Sequence, residues 1–130
     1  MKIHAFRLLP GQDLVEELER FAAENSLGAG VLLSAVGSLS QAVLRDAGGE
    51  TLHKLPGPWE IVSATGTLCT SGLHLHLSLA DEQLALRGGH AKPGCLVLTT
   101  VEVVVGEIPE YRFERRMDPQ TGYKELIIQP

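Results

Sequence analysis

Apolar and polar residues change rhythm once near the start of the chain and then keep a second rhythm to its end. Lys2 to Leu9 reads as a strand that Pro10-Gly11 breaks. From Asp13 the period becomes helical, with Leu14, Val15, Leu18, Phe21 and Ala22 on one face and Glu16, Glu17, Glu19, Arg20 and Glu24 on the other. Asp13 stands where an N-cap belongs, with Glu16 three residues on as in a capping box, and Asn25-Ser26-Leu27-Gly28 supplies a stop. The pattern predicts one amphipathic helix over residues 13–25, lying on a core. After Gly30 the chain becomes short extended runs separated by Gly and Pro, at the spacing of a mostly antiparallel sheet or barrel. These runs are Val31 to Val36, Leu39 to Arg45, Thr51 to Leu55, Trp59 to Leu68, Leu73 to Leu79, Leu84 to Arg87, Leu96 to Val105, Tyr111 to Met117 and Lys124 to Ile128. One helix and about nine strands predict a single α+β domain over residues 1–130.

The run Gly72 to Ala80 alternates strictly. Leu73, Leu75, Leu77 and Leu79 share one face, which must be core, while His74, His76 and Ser78 share the other. Residues two apart on a strand lie about 7 Å apart on the same side, so these imidazoles either face water or converge on one metal ion. A third histidine bears on that choice. His90 ends Arg87-Gly88-Gly89-His90, where paired glycines permit backbone approaches that a side chain would forbid. Three neutral imidazoles make the ligand set of a catalytic zinc site and also suit other late first-row divalent ions.

Leu96 to Val105 is apolar on both faces, as in a covered central strand, and Glu102 interrupts it. A buried carboxylate needs a partner: an ion pair inside an oligomer interface, Arg87 or Arg45, a histidine, or a metal-bound water. In the last case Glu102 would relay a proton while the metal lowers the pKa of that water, giving a metal-assisted hydrolase or hydratase/lyase acting on a small molecule. Trp59 and Arg87 are candidate substrate or interface residues. Arg112, Arg115 and Arg116, beside Tyr111 and Phe113, form the one basic patch.

Composition narrows the classes. The chain has 130 residues and a net charge of −5 with a pI near 5.5, which disfavours nucleic acid because such binding needs cationic side chains to displace phosphate counterions. No apolar run is long enough to span a bilayer, and no signal-peptide layout opens the chain, so a cytoplasmic protein without membrane contact is expected. Cys69 and Cys95 form no CxxC pair and are expected to be buried free thiols; His4 and His53 carry no assigned role. Walker, Rossmann and nucleophile-elbow motifs are absent.

Taken in order, Val31 to Arg45 with Gly37-Ser38, Gly57 to Gly66, Gly72-x-His74-x-His76 with Ala80-Asp81, Gly88-Gly89-His90, Gly94, and Thr100-Val101-Glu102-Val103-Val104 resemble the plants-and-prokaryotes-conserved domain, PPC or PCC. The resemblance spans nearly the whole chain. It implies one main helix against a strongly curved, largely antiparallel sheet, assembly as a homotrimer, and a metal site whose family positions match His74, His76 and His90. Plant members carry AT-hooks that bind DNA; this chain has no Arg-Gly-Arg-Pro core, so that route to DNA does not carry over. Where plant members use a Gly-Arg-Phe-Glu-Ile-Leu motif in partner contact, this chain has Gly57-Pro58-Trp59-Glu60-Ile61-Val62. The expected protein is a homotrimeric, three-histidine zinc protein, with a DNA-binding or transcription-associated module resting on Arg112, Arg115 and Arg116 as the alternative.

Overall fold

The computed structural model describes residues 1–130. Its elements are β1 (Lys2–Leu8), α1 (Leu14–Glu24), β2 (Gly30–Arg45), β3 (Leu52–Cys69), β4 (Gly72–Ala80), β5 (Leu86–Ala91), β6 (Leu96–Glu107), β7 (Arg112–Asp118) and β8 (Tyr123–Gln129). Strands dominate this α+β fold, and its single helix has only 11 residues, so the expectation of a main helix overstates its share. The sheet is otherwise curved and antiparallel throughout, as the short extended runs suggest.

The structure has eight strands: the first run and the nine after Gly30 become eight because two breaks read from sequence are bridged by pairing. Gly37 lies inside β2, and Pro56-Gly57-Pro58 lies inside β3, where Pro56 stands opposite Gln41 at an irregularity in the β2–β3 ladder. Such a bulge absorbs a residue and bends the strand without ending it. β5 begins at Leu86, so the Gly88-Gly89 pair belongs to a strand rather than a turn.

The six-stranded sheet runs β1-β6-β2-β3-β4-β5, and β5 also pairs back onto the end of β2 through Leu44↔Ala91 and Arg45↔His90. This second pairing closes β2, β3, β4 and β5 into a ring. Two absent side chains permit it: a Cβ on Gly88 would lie 2.7 Å from the Leu77 carbonyl oxygen, and one on Gly89 would lie 2.9 Å from that of Arg45. β7 and β8 form a separate two-stranded ribbon.

The helix starts where Asp13 accepts hydrogen bonds from the Val15 and Glu16 amides, at 3.0 and 3.1 Å, so the capping expectation is met. Leu14, Val15, Leu18 and Ala22 are buried against the sheet. They join a core with Leu39, Leu68, Leu75, Leu79, Val101, Val103 and Val105, each large apolar side chain contributing roughly 1.5–3 kcal/mol by leaving water. The other Asp13 oxygen accepts from the Gly94 amide at 2.6 Å and ties the helix start to the β5–β6 turn. Cys69 and Cys95 are buried free thiols; burial pushes the Cys95 thiol up. No helix is long and apolar enough to cross a membrane.

Candidate metal centre

The alternation of β4 puts its leucines inward and sets His74 and His76 on the opposite face. His90 stands directly across from His76 in the β4–β5 ladder. The ring centroids of the three imidazoles are 4.8, 5.0 and 5.6 Å apart, and one nitrogen from each lies within 4.8 Å of the others. His74 Nε2 and His76 Nε2 face each other at 3.1 Å. Two nitrogens bound at about 2.05 Å around a tetrahedral ion stand roughly 3.3 Å apart, so this edge already has the required length.

The electrostatics favour the neutral, ligating form of two of the rings, His90 and His74. Burial, then Arg45 and His74, then Lys92 and His76, pushes His90 down to about 4. His74 is held below the ordinary imidazole range by burial first and then by His76, Arg115 and Arg45, with Glu125 acting in the opposite sense. Three convergent imidazoles with His76 exposed to solvent form a donor set that fits a divalent transition ion with room for a further ligand.

Other residues, among them two arginines that the sequence reading gave different roles, surround the cluster. The Arg45 Nη2 contacts His90 Nδ1 at 3.4 Å, and its guanidinium lies 5.4 Å from the centre of the Tyr123 ring. Arg115 donates to Thr67 Oγ1 at 2.9 Å, and its amide donates to Ser71 Oγ at 3.1 Å. Arg45, Arg115, Tyr123, His74 and His90 line one cavity of about 370 Å³. Nothing local in the sequence marks Arg45 or Tyr123 as site residues, because closure of the ring brings the first and the ribbon brings the second.

The other expected residues lie elsewhere or differ in setting. Glu102 is exposed, in register with Arg7 and Val36, and is not the buried carboxylate expected. Val101, Val103 and Val105 take the core face of β6, and no helix covers the face that carries Glu102 and Val104. That exposure removes the reason for assigning Glu102 a buried relay role. Arg87 is exposed, and Trp59 is only 6% exposed, with its indole N–H donating to the Leu55 carbonyl at 3.2 Å. Arg112 and Arg116 fall on one side of β7 and Arg115 on the other, and Arg116 pairs with Glu114 at 3.2 Å, so the three do not form one basic patch. His53 is engaged by Asp46 at 2.8 Å, and His4 stacks edge-on with Phe21; neither joins the cluster.

A small, sheet-dominated α+β domain with three histidines gathered at a closed strand ring defines the class of protein. The chain belongs to the Plants and Prokaryotes Conserved (PCC) domain family, whose model matches residues 1–109. It is 55% identical over all 130 residues to a bifunctional protein GlmU of a Synechococcus strain, and spans 21% of that protein's length. It is 42% identical to a hypothetical protein of Salmonella enterica solved at high resolution, with a TM-score of 0.94 and coverage of 98% of this chain and 93% of that one. A metal-containing protein of Archaeoglobus fulgidus is 29% identical, with a TM-score of 0.79 and coverage of 98% and 94%. A protein of Bacteroides thetaiotaomicron whose name suggests DNA binding is 20% identical with a TM-score of 0.84 over 96% and 91% of the two chains, a likeness of fold alone.

Proposed function

We propose that this chain is a metal-binding protein in which His74, His76 and His90 hold one divalent transition ion, zinc in the first instance. The observation that carries the reading is the gathering of three imidazole nitrogens within 4.8 Å at one face of β4 and β5. The name of the Archaeoglobus relative, a metal-containing protein, supports it. When bound, such an ion acts as a Lewis acid and lowers the pKa of a coordinated water, the chemistry of a hydrolase or hydratase/lyase. The residues of this chain orient the ligand set: β4 alternation fixes two rings, and ring closure by Gly88-Gly89 fixes the third. The chain works as a homotrimer in the cytoplasm.

The experiment is elemental analysis of untagged protein beside His76→Ala. About one zinc per chain in the parent and less than a tenth of that in the variant supports the reading. A metal-free parent that remains folded after zinc addition removes it.

A DNA-binding role is the second reading, favoured by the name of the Bacteroides relative. The net charge of −5 and the division of the β7 arginines between two sides weigh against it. Fluorescence titration with duplex DNA at low salt separates the two, and absence of binding there ends the DNA reading.

A further inference from the structure

The cavity beside the histidines is built for a negative charge. Arg45 at the end of β2 and Arg115 on the ribbon both line it, as do Lys92 and Lys124, with Glu125 as the one acid. No carboxylate lies within ion-pair distance of either arginine, whereas Arg20 and Arg116 both have such partners. The Arg45 Nε is buried with no hydrogen-bond acceptor. That Nε is closed to solvent, so a cavity ligand would meet the outer guanidinium nitrogens, whose planar fork of donors matches carboxylate and phosphate oxygens.

The one acceptor that Arg45 has at the cluster is His90 Nδ1. A metal ion held through Nδ1 would use that lone pair, and one held through Nε2 would leave a proton on Nδ1; in both cases Arg45 loses its acceptor. Metal loading therefore increases the demand for an anion at Arg45.

We infer that Arg45 and Arg115, with Tyr123 behind Arg45, form an oxyanion site next to the histidine cluster, which takes a small molecule carrying a phosphate or carboxylate group. Four cations against one acid favour a dianionic phosphate over a single carboxylate. Arg115 and Tyr123 lie on the ribbon, beyond residues 1–109 that the family model matches, so this part of the site comes from the segment that follows the matched domain. The arginine site does not need the metal. The prediction that metal strengthens anion binding does rest on the metal-binding reading.

The test is calorimetric titration of inorganic phosphate, at ionic strength held constant with chloride, into zinc-free and zinc-supplemented protein. One site per chain is expected in both forms, tighter with zinc. Arg45→Gln and Arg115→Gln should each weaken binding to zinc-free protein at least tenfold, while Arg112→Gln, on the other side of β7, leaves it unchanged. Acetate should bind the same arginines more weakly; if it binds as tightly as phosphate, the site is still an oxyanion site with carboxylate as its preferred group. Thermal melts check that each variant folds, and Arg115→Gln, on the ribbon, carries the test if Arg45→Gln does not. Absence of phosphate and acetate binding to both forms overturns the inference, as does a loss in Arg112→Gln equal to that in Arg115→Gln. Zinc content measured on the same samples keeps the two readings apart: phosphate binding through the arginines in protein that takes no zinc upholds this site and removes the metal centre.

Discussion

His76 and His90 owe their meeting to a single register position, and that position also sets their response to acid. The half-buried His90 titrates near 4 in the fold and near 6.5 when unfolded. Between those values the unfolded chain holds the extra proton, so stability falls as pH drops from about 6.5 toward 4 and is fully present above that range. Solvent access to the ring limits the effect to about 1 kcal/mol. Urea unfolding of metal-free protein at pH 7 and pH 5 should show this loss, and His90→Asn should remove that part of the pH dependence; equal slopes for parent and variant would contradict the assignment. The cluster was legible in the sequence because strict alternation fixes which residues share a face, and two histidines shared one. Glu102 was misread for a related reason: alternation says which residues share a face of β6 but not whether anything covers that face. Arg45 was legible only as a charge and Tyr123 not at all, since each reaches the site through contacts distant in sequence.

At the scale of elements, the histidine geometry depends on β5 closing against both β4 and β2. Gly89→Ala would drive a methyl to 2.9 Å from the Arg45 carbonyl oxygen, a backbone atom that cannot rotate aside. The substitution is expected to cost about 1–3 kcal/mol and to reduce zinc content along with stability. Chemical denaturation paired with metal analysis checks both; a stable variant with full zinc would show that the ring can open without loss of the cluster. The helix start offers a contrasting case, because it is far from the metal ligands in function. Asp13→Ala leaves three amides, those of Val15, Glu16 and Gly94, without their side-chain acceptor. A loss of about 2 kcal/mol is expected, with zinc binding at saturating metal unchanged. The helix was readable to within a residue at each end since its cap and period are local. The sequence pattern divides β2 and β3 in two because Gly and Pro signal breaks locally, whereas pairing across the sheet carries each strand through them with irregularities in the ladder.

For the whole molecule the outer face of β1, β6 and β2 is the side of the sheet that no element of the chain covers. Val36 is 52% exposed there in a cross-strand row with Glu102 and Arg7, and Ser34, Val104 and Ala5 form the next row. The opposite face of the same strands is core, so the sheet is a single layer here with one apolar side unfilled. The flanking charges argue against a wholly apolar cover and favour an ion-paired one, as an interface between copies of the chain would provide. In the proposed homotrimer this face lies between protomers. Light scattering should give three times 14.0 kDa, about 42 kDa, for the parent. Val36→Arg, placed amid those residues, should shift the mass toward one chain without altering His74 and His76, two strands away on β4, or His90, which pairs with the far end of β2. Zinc content then separates two designs. Retention of one zinc per chain in the dissociated variant means that each chain holds its own site and assembly serves another end, such as completing the anion cavity. Loss of zinc on dissociation means that the protomer contact shapes the cluster. A variant that keeps the 42 kDa mass excludes this face as the interface and moves attention to the exposed Leu84 and Leu86 at the start of β5.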